Sequence, residues 1–360
     1  MPNIAEIVDS LGGFAQKQQL VARGARDLDL TRAVRSGEVS RARQGWYTTL
    51  PASDPRVRAV RVGGRLTGIS AIIEAGGWVL GDHPLHVSVR DNAARLRSQH
   101  NRHVRLTVAA PGGVVLHWDA AELSERGTAA SVGLSDALYR VILDEDLETA
   151  VAALDWALRT GVLDEYSFEA LIRRLPQDFQ CIRFWVDLLC DSLPESLSRT
   201  RVRLRGHMVV SQVTLKTEEQ IDLLVDGCVA VEVDGEKFHL TRFERDRHKD
   251  ANITIEKFYS FRPTARMVFY EWDAVILAIE TAISMHVRAP LLENSGRGTC
   301  VPPKIPGAAL RRRRRSRRSP EFPKPTSRRK PGGRGDGSRA EGAAAPEVGN
   351  SSARGAFYPA

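Results

Sequence analysis

The stretch Val229–His239, VAVEVDGEKFH, decides how the C-terminal half of the chain folds. Three valines alternate with other residues from its first position onward, which is typical of a strand with one buried face. Glu232 and Asp234 take alternate positions on the other face. Carboxylates are depleted from strands, and a buried charge must be paired or bound to a metal. A core strand with two acids on one face therefore indicates a functional site.

The preceding residues, QIDLLVDG, predict a second strand that joins the first through a hairpin at an Asp-Gly turn. A three-residue loop, Val225-Asp226-Gly227 with its glycine left-handed, keeps the apolar residues of both strands on one face. A two-residue turn would split them between faces, and register follows the buried face. The predicted register places Asp222 across from Ala230 and diagonal to Glu232.

Asp222, Glu232 and Asp234 are then expected to crowd one face of the hairpin within roughly 5–8 Å of one another. At an effective dielectric of 20, two unit charges about 5.5 Å apart repel by roughly 3 kcal/mol. A divalent cation would turn that repulsion into binding, and hard oxygen ligands suit Mg²⁺. The sequence therefore predicts Mg²⁺ bound by Asp222 and Glu232, where it could polarise a phosphodiester and activate water.

The residues of this hairpin also carry a family resemblance. Asp222, nine intervening residues, Glu232-Val233-Asp234-Gly235 and then His239 resemble the signature of very-short-patch-repair-type endonucleases, a branch of the PD-(D/E)xK nuclease superfamily. FERDRHKD resembles the family's helix, YSFRPTARMVFYEWDAVILAIETAI its closing strand and helix with Arg262 at the strand arginine, and SLPESL its first helix. The resemblance covers most of residues 190–285. It implies a restriction-endonuclease-like α/β domain that cleaves DNA with Mg²⁺.

Proton handling needs a separate group, because the superfamily's lysine, two residues after the glutamate, is Asp234 here, as in this branch generally. Lys237 and His239 are candidates, since either could reach back from the strand end; an exposed loop position is the alternative for His239. Glu195 corresponds to the glutamate of the family's first helix. It also completes a capping box with Ser192, so a helix cap and a metal or water ligand are both open for it.

The N-terminal residues 1–54 predict a winged helix-turn-helix: three short helices and a hairpin around Gln44-Gly45. The third helix, DLDLTRAVRSG, would be capped by Asp27 and end at Gly37. Basic residues off its apolar stripe suit a DNA groove, and those of the hairpin suit phosphates, although solvated arginines on a protein-binding domain are the alternative. The residues predicted to contact DNA are Arg32, Arg35, Arg41 and Arg43.

This N-terminal part, GGFAQKQQLVARG followed by AVRSGEVSRARQGWY, resembles the winged-helix domain of abortive-infection type IV antitoxins. The resemblance covers most of residues 10–60 and implies DNA as a partner, with a toxin or another protein as a further one. Two functions are then open. The chain is expected to be a Mg²⁺-dependent DNA endonuclease targeted by its winged helix, or an antitoxin-like transcriptional regulator whose nuclease fold is inactive.

Residues 55–185 predict a mixed α/β middle domain, with strands in PLHVSVR and VRLTVAAPGGVVLHW followed by helices. Its histidines are scattered, and His83 and His86 flank a proline and do not fall at helical ligand spacing. We expect them to be structural or exposed and predict no chemistry in this region. Residues 245–250 of the later helix are expected to form a solvated face with local ion pairs.

The chain as a whole is predicted to be an α+β multidomain protein. A change in composition separates the endonuclease-like domain over 186–289 from a tail over 290–360. The tail is rich in Arg, Pro, Gly and Ser and is expected to be disordered. Residues 295–360 alone carry a net charge of +12, against +8 for all 360 residues, so DNA binding by the folded part must depend on local sites.

The expected location is the cytoplasm. No apolar run approaches the ~18 residues of a membrane helix, so no membrane partner is expected. The N-terminus lacks the apolar core of a secretory signal. The four cysteines form no CxxC pair, which argues against a cysteine zinc site or a disulfide framework.

Overall fold

The computed structural model describes residues 2–107, 113–119, 127–234 and 243–288. These residues form three sheets and many helices, which confirms a mixed α+β architecture. Lys237, His239 and the basic tail lie outside the described residues. Within the described part of the chain, none of the helices combines the length and hydrophobicity that crossing a membrane would require.

The N-terminal part packs three short helices against a small antiparallel sheet of order β1-β3-β2. The third helix ends where the sequence predicts, at Gly37, whose φ of 81° is the left-handed conformation that a helix C-terminus favours. Its start differs, because Asp29 rather than Asp27 accepts the hydrogen bond from the backbone N–H of Arg26, at 3.1 Å. The elements are α1 Ile4–Ser10, β1 Phe14–Gln16, α2 Lys17–Val21, α3 Asp27–Ser36, β2 Ser40–Arg43 and β3 Trp46–Thr48.

The hairpin formed by β2 and β3 differs from the prediction. A register shift between Arg41 and Arg43 breaks their expected alternation. Arg43 is half-buried and donates from Nη1 to the carbonyl of Val62, at the end of α4 (Pro55–Val62), at 2.7 Å. Arg41 lies over the ring of Tyr47 and donates to its hydroxyl at 3.2 Å. Arg43 therefore fastens the hairpin to the neighbouring helix.

The middle part builds the largest apolar core of the described residues around a three-stranded sheet of order β4-β5-β6. β5 and β6 are parallel and in register from Leu85 opposite Val114 to Arg90 opposite Asp119. The turn predicted just before β6 lies partly outside the described residues. The elements are β4 Arg65–Leu66, α5 Gly68–Glu74, β5 Leu85–Arg90, β6 Val114–Asp119, α6 Leu134–Asp144, α7 Leu147–Arg159, α8 Glu165–Arg174 and a 3-10 helix Gln177–Phe184.

The C-terminal part is a four-stranded mixed sheet of order β10-β9-β8-β7 between helices. β7, β8 and β9 form an antiparallel meander, whereas β10 runs parallel to β9, so a helix crosses over between them. The elements are α9 Leu193–Leu204, β7 Val209–Thr214, β8 Gln220–Val225, β9 Val229–Val231, α10 Phe243–Ile255, β10 Tyr259–Phe261, α11 Ala265–Tyr270 and α12 Trp272–Arg288.

Both faces of this sheet are covered. Val229 and Val231 pack with residues of α9 and α12, as the alternation predicts. Ala230 packs instead under Ile253 of α10, and Ile221 joins that second cluster rather than the first. The face that carries the acids is therefore enclosed by α10, so carboxylates there lose water.

The register of the β8–β9 hairpin is shifted by two residues from the predicted one. Val225 pairs with Val229, so the loop is Asp226-Gly227-Cys228. Gly227 is left-handed as expected, with φ 68°, and the residue before it also has a positive φ, 46°. The apolar alternation of the two strands is the same in both registers, so it could not distinguish them. By continuation of the observed register, Asp222 lies opposite Glu232 rather than opposite Ala230.

A buried ion pair joins the middle and C-terminal parts. Arg199 of α9 donates to the Asp155 carboxylate of α7 at 2.7 Å, and both side chains are almost fully buried. The same carboxylate accepts hydrogen bonds from Ser196 and from the backbone N–H of Asp187, and Arg199 also donates to the carbonyl of Trp185. Several hydrogen bonds thus compensate the cost of burying these charges.

Candidate functional site

Asp222 and Glu232 form the centre of the site. The backbone N–H of Asp222 donates to Oε1 of Glu232 at 3.3 Å, and that of Val233 donates to Oδ2 of Asp222 at 2.9 Å. These contacts follow from the observed register, which sets the two acids side by side on neighbouring strands. Glu232 is 4% exposed. The two acids are therefore directly opposite each other rather than diagonal, as the predicted register had them.

Burial dominates the electrostatics of this pair. The pKa of Glu232 is raised to about 7, mainly by burial and also by the charge of Asp222, although Lys249 acts in the opposite direction. Burial likewise raises the pKa of Asp222, against the hydrogen bond from Val233. Each carboxylate thus resists ionisation beside the other, because the enclosed site supplies too little positive charge.

Lys249 of α10 supplies part of that positive charge through an ion pair with Glu232. The sequence placed this lysine on a solvated face, and that prediction was wrong. Lys249 lies one turn before Ile253, which is fully buried against the sheet, so both residues project from the same side of α10. The four-residue spacing to a core isoleucine was the signal that could have identified it.

Glu195 lies near the same carboxylates, at the start of α9. Its carboxylate accepts hydrogen bonds from the Ser192 hydroxyl at 2.6 Å, the Asp191 backbone N–H at 3.0 Å and the Gln212 amide at 3.3 Å. Burial raises its pKa to about 7, and the charge of Asp222 adds to the effect. Glu195 is therefore a helix cap that also belongs to the carboxylate cluster, so the two interpretations of this residue are compatible.

The strand that carries Gln212 is locally unusual. Gln212 has a φ of 52°, a conformation that is uncommon for residues other than glycine. Its neighbours Ser211 and Val213 pair with Leu223 and Ile221, so Gln212 lies beside Asp222 across β7 and β8. Backbone outliers of this kind concentrate at functional sites. This one occurs where Gln212 reaches Glu195.

Asp234 takes a different position from the other two predicted acids. Arg262, just after β10, donates to Oδ1 of Asp234 at 2.9 Å and to Oδ1 of Asp250 at 3.1 Å. Burial alone would lower the pKa of Arg262, but these hydrogen bonds raise it, so the guanidinium stays charged. Arg262 also lowers the pKa of Asp222. Asp234 thus helps to hold the positively charged guanidinium of Arg262 at the edge of the carboxylate cluster.

Among the described residues, Asp222, Glu232 and Glu195 share the ligand chemistry of a hard divalent cation, but they do not each place an oxygen within 4.8 Å of the other two. All three offer carboxylate oxygens, which are the ligands that Mg²⁺ prefers. Their raised pKa values show that the enclosed negative charge is under-compensated. A bound cation would favour the ionised carboxylates.

The arginines predicted to contact DNA fall into two groups. Arg32 and Arg35 are exposed on α3, on the side away from buried Leu30. Arg41 and Arg43 are partly buried and engaged with the tyrosine ring and backbone carbonyls described above. The helix therefore offers arginines to solvent, whereas the hairpin uses its arginines for internal contacts.

The middle part contains a second polar cluster that the sequence analysis missed. His86, His117 and Asp144 each place one possible ligand atom within 4.8 Å of the others. The expectation that the histidines are scattered is corrected for His86 and His117, because β5 and β6 bring these residues, far apart in sequence, together. The signal was present as polar residues at alternate strand positions, His86 and Ser88, then His117 and Asp119.

Comparison with known proteins finds no family model that matches this chain and no curated protein that is significantly similar to it.

Proposed function

We propose that this protein is a Mg²⁺-dependent DNA endonuclease directed to DNA by its N-terminal helical part. The observation that carries the proposal is the enclosed cluster of Asp222, Glu232 and Glu195. Enclosed carboxylates with raised pKa values are typical of functional sites. The element order from α9 to β10, a helix, a three-stranded meander, a helix and a parallel strand, supports the restriction-endonuclease-like resemblance.

Each residue of the cluster has a distinct part in the proposed reaction. Asp222 and Glu232 would hold Mg²⁺, which supplies Lewis acidity and a lower pKa for attacking water. Lys249 contacts Glu232 and provides the lysine that the strand lacks, so it is suited to orient a phosphate oxygen or a water. Glu195 has a pKa of about 7 and is suited to exchange a proton near neutral pH. Arg262 forms an ion pair with Asp234 beside the three carboxylates.

One observation favours the alternative, an antitoxin-like transcriptional regulator with an inactive nuclease fold. The ammonium of Lys249 already occupies one oxygen of Glu232, so the cluster is partly satisfied without a metal. Exposed Arg32 and Arg35 on α3 would serve DNA binding under either function.

Cleavage of supercoiled plasmid by the purified full chain separates the two functions. We expect nicking with Mg²⁺ and none with EDTA. Asp222→Asn and Glu232→Gln should each abolish nicking, because each removes a ligand charge and keeps the size of the side chain. Both should still bind DNA, since repulsion of phosphate is relieved.

The matched control is Glu218→Gln, which removes one charge from an exposed residue in the β7–β8 loop of the same sheet. It should cleave at the wild-type rate. Wild-type nicking that persists in Glu232→Gln would overturn the assignment to this cluster. DNA binding without any nicking by the wild type would favour the regulator.

A further inference from the structure

The parallel strands β5 and β6 present a row of buried polar side chains on one face. His86 and Ser88 alternate on β5, and His117 and Asp119 alternate on β6. All four are less than 10% exposed. Buried polar groups are retained when they are hydrogen-bonded or bind a ligand, so each member of the row needs a partner.

Part of the row is satisfied within the protein. Asp119 accepts a hydrogen bond from Ser88 at 2.5 Å and forms an ion pair with Arg140 of α6. The two histidines are arranged differently, because they face each other. Nδ1 of His86 lies 3.3 Å from Nε2 of His117. Two imidazole nitrogens at this distance either share a proton or direct their lone pairs at one cation.

A carboxylate from α6 closes the arrangement. Oδ2 of Asp144 lies 3.5 Å from Nδ1 of His117, the ring nitrogen that does not face His86, and one possible ligand atom from each of the three residues lies within 4.8 Å of the other two. Ligand atoms about 2.0–2.1 Å from a tetrahedral zinc ion are roughly 3.4 Å apart. The histidine pair matches that spacing. Asp144 lies at the end of α6 with a partly exposed side chain, so a side-chain rotation would be needed to bring its oxygen to an ion on the Nε2 side of His117.

Glu145 and Gly68 lie next to the two histidines, in positions that residues just outside the ligand shell take around a metal site. Oε1 of Glu145 lies 3.9 Å from Nε2 of His86, the ring nitrogen turned away from His117. Carboxylates in that position orient a ligating histidine and increase its basicity. Gly68 leaves space beside the pair, because a Cβ at this position would lie 3.2 Å from Nδ1 of His86. Its φ of 53° also disfavours a larger residue.

We propose that His86, His117 and Asp144 bind a zinc ion, at a site separate from the carboxylate cluster. Imidazole and carboxylate ligands in this combination suit Zn²⁺ better than Mg²⁺. The ligands come from two strands and the end of a helix, so the ion ties α6 to the sheet of the middle part. The fourth coordination position would be taken by water.

Zinc binding by the metal-stripped full chain, measured by calorimetry and by Co²⁺ absorption, tests this assignment. The variants are Asp144→Asn, which changes a solvent-facing residue, and His117→Gln. The control is His103→Gln, an exposed histidine of the same part. Glu232→Gln serves as a second control, because it disrupts the carboxylate cluster and leaves the histidines intact.

We expect one Zn²⁺ for each wild-type chain, a Co²⁺ spectrum of tetrahedral intensity without thiolate bands, and a higher unfolding temperature with zinc. Asp144→Asn and His117→Gln should weaken zinc binding by at least the roughly 10–100-fold that changes outside the ligand shell cause. Both controls should bind as the wild type does. Unchanged zinc affinity in Asp144→Asn, or thiolate bands in the Co²⁺ spectrum, would overturn the site. DNA cleavage is not part of this readout, so its result is independent of the proposed nuclease activity.

Discussion

Replacement of Glu195 by Gln tests whether the carboxylate cluster stores unfavourable charge. Gln keeps the size of the side chain and one acceptor oxygen for the Asp191 backbone N–H, and its amide N–H can donate to the Ser192 hydroxyl in place of the bond that Glu195 accepts from it. It is also an accepted residue at this position of a capping box, so α9 should start normally. What the substitution removes is the ability to ionise inside an enclosed site.

The expected magnitude follows from the pKa of Glu195, which burial raises from 4.5 to about 7. Because the folded protein holds the proton more tightly than the unfolded chain, stability is full below pH 4.5 and is lost as pH rises towards 7. At about 1.4 kcal/mol for each pH unit, the loss approaches about 3 kcal/mol. Glu195→Gln should therefore be more stable than the wild type by up to about 3 kcal/mol at pH 8 and nearly equal to it at pH 4.5.

Urea unfolding, followed by tryptophan fluorescence at pH 4.5 and pH 8 without divalent metal, measures both values. Glu38→Gln is the control, since Glu38 is exposed and its replacement should change stability by less than about 0.5 kcal/mol at either pH. A Glu195→Gln variant that is equally stable or less stable than the wild type at pH 8 would refute the reasoning. The carboxylate would then be ionised and satisfied by its hydrogen bonds.

Four other predictions concern different parts of the chain. Lys249→Met should lower plasmid nicking by roughly 100-fold while Mg²⁺ binding persists, because it removes a positioned donor. Asp155→Ala should lower the free energy of unfolding by about 3–5 kcal/mol in urea, because it leaves a buried arginine unpaired. Arg43→Ala should mainly destabilise the fold, by about 1–3 kcal/mol, through lost hydrogen bonds to carbonyls. The double substitution Arg32→Ala and Arg35→Ala should instead weaken DNA binding. It should reduce the slope of log binding constant against log salt concentration by about 2.

Each of these predictions has an outcome that contradicts it. Unchanged nicking by Lys249→Met would remove the lysine from the proposed reaction. A loss of under about 1 kcal/mol in Asp155→Ala would show that the joint between α7 and α9 relaxes on losing its charge. If the salt dependence of DNA binding changes in Arg43→Ala and not in the Arg32 and Arg35 double variant, the assignment is reversed. Arg43 would then contact DNA, and the arginines of α3 would not.

The alternation of apolar residues around Val229 determined much of the C-terminal sheet without any structure. It predicted two strands, a left-handed Gly227 and two acids held on one face, because side chains alternate along a strand. It did not determine the register by itself. A shift by two residues keeps every side chain on the same face, so only the observed pairing of Val225 with Val229 sets Asp222 opposite Glu232.

The ends of two helices could also be predicted from neighbouring residues in the sequence. Gly37 ends α3 and Ser192 starts α9, since both effects depend on residues within one turn. The environment of Lys249 was not local, because it depends on how α10 crosses the sheet. For Arg43, the neighbouring α4 supplied carbonyls that the hairpin sequence alone gave no reason to expect.

The sequence by itself thus determined which residues form strands and helices, where several helices end, and that acids on a core strand need a partner. These properties depend on neighbours in the chain. The tertiary structure decided which charges meet: Lys249 with Glu232, Arg262 with Asp234, and His86 with His117 and Asp144. Such contacts join residues separated by many positions, and their strength depends on burial, which arises only when the elements pack together.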